Sequence, residues 1–395
     1  MKKLLVLGAS EFQIPLLKQA KRMGVHTCVI DINPNASGIC FADEYKECSL
    51  KDHALAIEIA KAYNPDGVTV GMCDVAVRTC AMICEALNLP GLSVEVAENA
   101  TDKFKMIEVF RANHVPHPEY IYFAKGEYTR EKMTLPLPII VKPIDMAGSR
   151  GINLVTTEEE LKMAVEDSIS LGDKGDIIVE EYMTGPEVSV EIFVENSEPY
   201  VMQITDKLTS GAPHFMELGH SQPSSLSESI KMSIAQVACK AVKALGLNNC
   251  VAHAEIIVTK EGPKMVEIGA RMGGDGIQQQ LIQLSTGINL PEAVIKLAMG
   301  DPVKKPTNKI HLGSAIRFIP AVTGVIESIS NNYDSNDKRI NTVRLLCKPG
   351  DYYDEAKDNS GRYGYVISQA ETAESAIEAC EKAISSINIV VMNNG

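Results

Sequence analysis

A parallel α/β domain followed by α+β segments is the fold class that the 395-residue sequence predicts. Over the first hundred residues, short apolar runs alternate with stretches that repeat apolar residues at helical spacing. After that point, pairs of apolar runs follow one another, separated by glycine-containing turns. Strand–helix alternation is typical of parallel sheets, whereas consecutive strands favour antiparallel pairing. The chain is also too long for one ordinary core, so two or three domains are expected.

The first segment, residues 1–100, begins with an apolar run over residues 4–7 that ends at Gly8. A helical pattern then stops at Gly24, and a second strand closes with Asp31. Helix and strand patterns alternate again before residue 100, so we expect a Rossmann-like domain. The turn after Gly8 lacks the second glycine that lets backbone approach a pyrophosphate. Dinucleotide binding is therefore not expected here.

The second segment begins with a helix capped by Thr101 or Asp102. A strand, a glycine loop and another strand follow, then an amphipathic helix and a strand pair around Gly185 and Pro186. Residues 200–225 are expected to combine one strand with a polar loop that contains histidines. Beyond residue 306, strands and a final helix indicate a small α+β domain. The predicted domains are 1–100, 101–305 (with a subdomain over about 130–185) and 306–395.

Composition excludes several classes of function. The formal net charge of −13 and the lack of a basic run argue against a nucleic-acid partner. No apolar stretch reaches the length of a membrane span, and the first residues lack the features of a signal peptide. The ten cysteines are scattered without a CxxC pair, so we expect reduced thiols and a cytoplasmic protein.

The stretch IIVKPIDMAGSRG carries the first candidate site. Lys142 ends an apolar strand, where a lysine is either solvated or directed at an anion. The following loop contains Gly148, Ser149, Arg150 and Gly151. Small residues let backbone N–H groups fold closely over phosphates, although an ordinary hairpin turn would use them too.

Four acids mark the next strand pair. Glu180 and Glu181 end an apolar run, so one of the two points inward and needs hydrogen-bond donors. An adenine amino group or ribose hydroxyls would supply such donors. Glu187 and Glu191 share a face of the following strand, and Glu191 points either into the protein or into water.

Glu255 and Glu267 lie in consecutive apolar strands joined by a short turn. Antiparallel pairing would bring the two carboxylates side by side, where each raises the pKa of the other unless a cation lies between them. Carboxylates together with phosphate oxygens are the ligands that Mg²⁺ prefers. Arg271 follows Glu267 by four residues and could hold an anion beside the metal.

The order of these motifs resembles that of the ATP-grasp superfamily, in the branch that includes biotin carboxylase and the carbamoyl-phosphate synthase large chain. The segments TDKFKM, VKP…GSRG, VEEYMTGPEVSVE, AHAEII and VEIGAR carry the resemblance, which covers essentially the whole chain. Within the branch, the sequence is most similar to L-amino acid ligase-like carboxylate–amine ligases. The resemblance implies a pre-ATP-grasp first domain, a two-part ATP-grasp clamp and a small α+β C-terminal domain. It also implies a homodimer.

The resemblance assigns roles to individual residues. It implies that Lys103 and Lys142 contact ATP, that residues 145–151 cover its phosphates and that Glu187 binds the ribose. The adenine hinge would consist of Glu180, Glu181, Tyr182 and Met183. Glu255 and Glu267 would bind Mg²⁺ or Mn²⁺, and Arg271 would steady an acyl phosphate. Lys142, Glu267 and Arg271 would then form the catalytic set.

One position departs from the family pattern. The family often has asparagine two residues after the second metal-binding glutamate, and this chain has Gly269. Water or another side chain would have to replace that contact.

The substrate end is the least defined part of the prediction. Candidate residues are His214, Glu217 and His220 in the polar segment, followed by Arg271, Gly273, Gly274 and Asp275. Glu217 or His214 is expected to contact an amine or amino acid, and Asp275 could bind an ammonium group. The predicted function is ATP-dependent amide formation from a small carboxylate and an amine. The alternatives are a purine-pathway ligase acting on a phosphoribosylamine, or an ATP-binding scaffold without activity.

Overall fold

The computed structural model describes residues 1–146, 148 and 150–392. Its helices are α1 Ile14–Arg22, α2 His53–Tyr63, α3 Asp74–Leu87, α4 Val94–Asn99, α5 Lys103–Ala112, α6 Glu158–Leu171, α7 Glu228–Leu245, α8 Ile282–Thr286, α9 Leu290–Ala298 and α10 Ala373–Ser385. Its strands are β1 Lys3–Leu7, β2 His26–Asp31, β3 Glu44–Glu47, β4 Gly67–Thr69, β5 Tyr120–Phe123, β6 Ile139–Pro143, β7 Asn153–Val155, β8 Ile177–Glu181, β9 Glu187–Glu195, β10 Glu198–Thr209, β11 Glu217–Gln222, β12 Cys250–Thr259, β13 Gly262–Gly269, β14 Gly313–Pro320, β15 Gly324–Asn331, β16 Ile340–Leu345, β17 Tyr352–Tyr353, β18 Arg362–Ala370 and β19 Ile387–Met392.

The first sheet is parallel and has the strand order β3-β2-β1-β4. Its central strand is buried from Leu4 to Leu7, as the apolar run predicts. Helix α3 begins at Asp74, shortly after β4 ends. The carboxyl ends of parallel strands commonly border a ligand crevice, and Asp74 lies at that edge.

A four-stranded antiparallel sheet with the order β5-β8-β6-β7 forms a separate layer with α6. It has an apolar core of its own, which includes Ile139, Val141, Leu161 and Val179. We call residues 120–181 the lid. This core is separate from the main one, although Ile144 and Ile178 of the lid also pack against Ile107 of α5.

The largest sheet has eight strands in the order β13-β12-β9-β10-β11-β14-β18-β16. The pairs recorded between neighbouring strands are antiparallel throughout. The sheet continues from the clamp into the C-terminal segment, because β11 pairs with β14 across residue 306. A smaller sheet, β17-β15-β19, completes the C-terminal part.

The main apolar core joins the first domain to the clamp. One cluster of buried side chains contains Leu5 and Ile30 of the first sheet together with Val190 of β9 and Ile268 of β13. The predicted boundary near residue 100 therefore lies within a shared core, and the domain limits stay a prediction.

The structure corrects one local expectation and decides between two alternatives in another. Residues 200–225 contain two strands, β10 and β11, so Glu217 and His220 lie in a strand and not in a loop. Alternation along a strand gives them fixed directions, and His220 is buried. The cap of α5 is Asp102, whose carboxylate accepts hydrogen bonds from the backbone of Phe104 and Lys105. Among the described residues, no helix has the length and hydropathy to cross a membrane.

Candidate active site

A cavity of about 630 Å³ lies between the lid, the large sheet and the carboxyl edge of the first sheet. Most of the residues that the sequence analysis selected line this one cavity. They are Lys103, Lys142, Gly148, Arg150, Glu180, Glu181, Tyr182, Met183, Glu187, Glu217, Glu255, Glu267, Arg271, Gly274 and Asp275. Residues 172 positions apart in sequence therefore border one space, which is large enough for a nucleotide and a small substrate.

The lid supplies a buried ion pair to the cavity. Strands β6 and β8 are antiparallel neighbours, and Lys142 Nζ lies 2.7 Å from Glu180 Oε2. Both side chains are at most 7% exposed. The side chain of Glu181 lies on the opposite face of the strand from that of Glu180 and pairs with Lys264 of β13 at 2.6 Å. The two adjacent glutamates thus have separate lysine partners, one in the lid and one in the clamp.

The glycine loop lies beside Lys103. Gly148 and Gly151 both have positive φ angles, near +70°, which L side chains rarely adopt. Ser149 lies outside the described residues. Lys103 Nζ donates a hydrogen bond to the carbonyl oxygen of Met146 at 2.7 Å, so Lys103 is in direct contact with the beginning of the loop.

The two predicted metal ligands face each other across neighbouring strands. Glu255 of β12 is paired in register with Glu267 of β13. Directly opposite residues have Cβ atoms about 4.5–5.5 Å apart, a spacing that lets two carboxylates share one cation. Lys103 Nζ lies 3.0 Å from Glu267 Oε2. The donor set fits Mg²⁺ or Mn²⁺, which prefer carboxylate and phosphate oxygens.

Arg271 is held by the first domain. Its Nε and Nη2 donate to the two carboxylate oxygens of Asp74 at 2.8 and 2.6 Å. Burial by itself would lower the pKa of Arg271, but Asp74, Glu267 and Glu255 together raise it above its ordinary value. The guanidinium is therefore charged and fixed at the cavity wall.

Gly269 makes room for this ion pair. A Cβ atom at Gly269 would lie 3.1 Å from both Arg271 Cζ and Asp74 Oδ1. The space that an asparagine side chain would fill is thus taken by the Asp74–Arg271 pair.

Lys207 of β10 lies at the centre of the cavity's acidic residues. Its ammonium is 2.6 Å from Glu187, 2.9 Å from Glu255 and 3.1 Å from Glu217. Burial would lower the pKa of Lys207, but the three carboxylates raise it well above its ordinary value. In the same way, burial would raise the pKa of Glu255, but Lys207 and His253 hold it well below its usual range.

The end of the cavity beyond Lys207 is acidic and is braced by the C-terminal segment. Arg362 of β18 donates to both oxygens of Asp275, at 2.9 and 2.8 Å. Asn359 donates to Glu217 at 2.9 Å. Behind these acids, His220 Nε2 lies 3.6 Å from Asp275 and 3.8 Å from Glu217.

The pKa values of these two acids are shifted in opposite directions. Burial raises the pKa of Glu217, and Asp275 adds to that shift against the opposing effect of Lys207. Burial acts in the same direction on Asp275, but His220 and Arg362 bring its pKa below the usual range. Three ligand atoms of Glu217, His220 and Asp275 lie within 4.8 Å of one another. Such an arrangement suits a small cation, either a metal ion or an ammonium group.

Some predicted residues are not brought to the cavity. His214 is exposed in the turn between β10 and β11, and Gly151 does not line the cavity. His220 lies behind the lining. Gly273 is buried against His253, whose Nδ1 would be 2.5 Å from a Cβ atom at that position. Its lack of a side chain makes room for a histidine, not for a substrate as the sequence analysis expected.

The sequence analysis missed Asp74, Lys207, His253 and Arg362. In the sequence, each of these four residues is a charged or polar residue next to an apolar run or at the start of a helix. Many surface residues have the same local pattern, so the sequence does not distinguish them. Glu191, whose direction was left open, is fully buried and bonds to His253 at 3.0 Å. Burial would lower the pKa of His253, but Glu191 and Glu255 raise it to about 10.

Comparison with known proteins agrees with this geometry. Residues 135–279 match the model of the ATP-grasp domain, and residues 317–392 match the L-amino acid ligase C-terminal domain 2. The chain contains an ATP-grasp domain. The ATP-grasp match covers most of the lid and the strands that carry Lys207, Glu255 and Glu267.

Relatives of this ATP-grasp protein include alanine–anticapsin ligase of Bacillus subtilis (strain 168), which is 29% identical over 242 residues. That alignment covers 55% of this chain and 51% of the relative, so the match extends over about half of the relative's length. L-amino acid ligase from Bacillus licheniformis has a similar structure, with a TM-score of 0.85, 23% identity and coverage of 100% and 99% of the two chains. Phosphoribosylglycinamide synthetase from Anaerococcus prevotii has a TM-score of 0.81, 25% identity and coverage of 99% and 100%.

These findings confirm the predicted superfamily and the mixed α/β fold. They also confirm, at the level of the family, the expectation of an ATP-dependent enzyme that joins a carboxylate to an amine. The roles of individual residues stay predictions.

Proposed function

We propose that this protein is an ATP-dependent ligase that joins the carboxylate of an amino acid or another small metabolite to an amine. The observation that carries the proposal is the composition of the cavity between the lid and the large sheet. One end has the lysines and the paired glutamates suited to Mg-ATP, the wall has Arg271, and the other end is acidic. No enzyme nucleophile is needed for this reaction.

The reaction begins when a substrate carboxylate oxygen attacks the γ-phosphorus of ATP, which forms an acyl phosphate and releases ADP. Lys103, Lys142 and Arg271 offset the charge that develops on the phosphoryl oxygens. Glu255 and Glu267 would hold a divalent metal, which would supply further charge neutralisation. The amine then attacks the acyl carbon, a carbon–nitrogen bond forms, the amine gives up a proton, and phosphate leaves.

The acidic end of the cavity favours a substrate that carries an ammonium group. Glu217 and Asp275 present two partly buried carboxylates, and an ammonium would donate to both and neutralise part of their charge. An α-amino acid has this group next to the carboxylate to be activated. The alanine–anticapsin ligase and L-amino acid ligase named above act on amino acids by their names, which supports this assignment.

A phosphoribosylamine ligase is the second candidate, because a phosphoribosylglycinamide synthetase shares the fold. Its phosphorylated substrate needs basic side chains at the substrate end. In the described part of this cavity, Lys207 is bonded to three carboxylates, and Arg362 behind it is bonded to Asp275. This charge arrangement favours an amino acid over a phosphoribosylamine as the substrate. An inactive scaffold is disfavoured by the presence of both lysines, both glutamates and Arg271.

The experiment that tests the proposal measures ADP release with Mg-ATP against single and paired amino acids, and against phosphoribosylamine. We expect turnover with a pair that contains an α-amino acid. Turnover only with phosphoribosylamine would favour the second candidate. Tight ATP binding without turnover on the whole panel would favour the scaffold.

The replacement Glu267→Gln tests the metal assignment. We expect a folded protein with at least a hundredfold lower kcat, because one of two carboxylate ligands is lost. A wild-type rate in this variant would contradict the assignment. The proposal also includes Mg²⁺ or Mn²⁺, which the paired glutamates support, a homodimeric state, which the family resemblance supports, and a cytoplasmic location, which the scattered cysteines support.

A further inference from the structure

The ammonium of Lys207 forms ion pairs with three carboxylates, which belong to three different parts of the cavity. Glu187 lies where the ribose is expected, Glu255 is a predicted metal ligand and Glu217 borders the substrate end. The ammonium donates hydrogen bonds to Glu187 at 2.6 Å and to Glu255 at 2.9 Å, and it forms an ion pair with Glu217 at 3.1 Å. The Lys207 side chain is 4% exposed, so water does not replace these contacts.

The sheet explains how one side chain reaches all three acids. Strands β12, β9, β10 and β11 are consecutive neighbours, so Glu255, Glu187 and Lys207 lie on adjacent strands. Ser189 of β9 stands in register opposite Glu255, and its small side chain leaves room for the lysine to cross. The contact between Lys207 and Glu255 is therefore built into the strand order.

We propose that Lys207 is a positioning residue that holds Glu187, Glu217 and Glu255 together and competes with the divalent metal for Glu255. This inference rests on the metal assignment in the proposed function. A cation binding to Glu255 must either displace the lysine or share an oxygen atom with it, and two cations this close repel each other.

The consequence is that metal and nucleotide bind together. A metal ion alone has to overcome the contact between Lys207 and Glu255. A metal ion that arrives with ATP brings phosphate oxygens, which contribute ligands and negative charge that offset the lysine. The arrangement thus makes strong metal binding depend on the nucleotide.

The replacement Lys207→Met is expected to change the affinities for Mn²⁺ and for ADP in opposite directions. Removal of the ammonium frees Glu255 and makes the cavity more negative by one charge. We expect Mn²⁺ alone to bind at least fivefold more tightly, and metal-free ADP to bind at least fivefold more weakly. A purely structural role for Lys207 would weaken the binding of both.

Mn²⁺ binding is measured by electron paramagnetic resonance of the free ion, and ADP binding by calorimetry in the presence of a chelator. Circular dichroism verifies that each variant is folded. The control is Lys243→Met, since Lys243 forms one ion pair with Glu198 on the surface and is half exposed. This variant should bind both probes as the wild type does.

A second variant decides the question if Lys207→Met does not fold. Glu217→Gln removes one of the three acceptors and leaves the lysine to Glu187 and Glu255. We expect Mn²⁺ to bind at least twofold more weakly, although Glu217 is not one of the two glutamates assigned to the metal that accompanies ATP. Unchanged Mn²⁺ affinity in this variant would overturn the proposal.

Glu255→Gln separates this inference from the proposed function. If folded Glu255→Gln binds Mn²⁺ as the wild type does, the metal assignment fails, and the inference fails with it. If Glu255→Gln loses Mn²⁺ binding while folded Lys207→Met shows unchanged or weaker binding, the role of Lys207 is wrong and the metal assignment stands.

Discussion

At the scale of single residues, the cavity wall depends on a contact between two domains. Asp74 begins the first helix after β4 and reaches Arg271, 197 positions later in the sequence. The pair occupies the space above Gly269, the position at which the family pattern has asparagine. An inserted side chain at Gly269 would therefore displace the arginine before it could bind a metal.

We predict that Asp74→Asn lowers kcat at least tenfold and leaves Mn²⁺ affinity within twofold of the wild type. The amide keeps the size of the side chain but loses the charge and the second acceptor oxygen, so Arg271 is no longer held in one orientation. Steady-state kinetics and Mn²⁺ titration measure the two effects. Asp301→Asn is the control, because Asp301 pairs with exposed Lys2 far from the cavity. A wild-type kcat in Asp74→Asn would contradict the role of the pair.

We predict that kcat/KM depends on pH through the carboxyl group of Glu217. Its pKa is raised by burial and by Asp275, so it takes up a proton at a higher pH than an ordinary glutamate, whose pKa is about 4.5. A carboxylate that binds an ammonium must be ionised. As pH falls, we therefore expect kcat/KM for the amino substrate to decline at a pH above 4.5.

In Glu217→Gln, this acidic decline should disappear, and kcat/KM should be low at all pH values. The measurement is a pH profile of kcat/KM at saturating Mg-ATP, with folding verified at each pH. An identical acidic decline in the variant would show that another group is responsible.

At the scale of elements, the turn between β8 and β9 packs against β12. Gly185 lies in this turn with φ +147°, and a Cβ atom there would be 2.0 Å from the carbonyl oxygen of Val258. The predicted adenine hinge, Glu180 to Met183, leads into this turn. The contact therefore fixes the predicted adenine side of the cavity to the large sheet.

We predict that Gly185→Ala lowers the free energy of unfolding by more than about 3 kcal/mol, because it adds a backbone clash to the strain of a positive φ angle. Gly262→Ala is the matched control. Gly262 also has a positive φ angle, +119°, but open space surrounds its Cβ position. It should cost about 1 kcal/mol, close to the backbone strain alone. Equal losses measured by chemical denaturation would show that the contact with β12 is unimportant.

At the scale of the whole molecule, two kinds of packing coexist. The first domain, the clamp strands and α7 share one apolar core, whereas the lid has a separate core. Ion pairs join distant parts of the chain, such as Arg344 of β16 with Glu11 in the first domain. We therefore expect the lid to open more easily than the rest of the protein.

Hydrogen exchange measured by mass spectrometry tests this expectation. Amides of α6 and β7 should exchange through openings that leave β9 and β12 protected, and Mg-ADP should slow the exchange of the lid. Exchange of lid and large-sheet amides at one common rate would contradict the expectation.

Much of the fold could be predicted from the sequence, because periodic apolar residues are a local signal. The buried run at Leu4–Leu7, the helix cap near Asp102 and the facing strands of Glu255 and Glu267 all follow from spacing over a few residues. The loop with Gly148 and Gly151 could also be predicted, because its glycines lie within a few residues of one another. Residues 200–225 were misread because polar residues of a strand in the interior of a sheet look like a loop when their partners are unknown.

The sequence by itself determined the superfamily, the order of elements and the side chains suited to a nucleotide and a metal, since each of these depends on residues close together in the chain. Only the tertiary structure decided the partners of those side chains. Asp74 reaches Arg271, Arg362 reaches Asp275, and Lys207 of β10 reaches acids on β9 and β12 that are 20 and 48 positions away in sequence. Strand order and domain packing place these charges together, because the low-dielectric interior of the protein stabilises a buried charge only beside a partner.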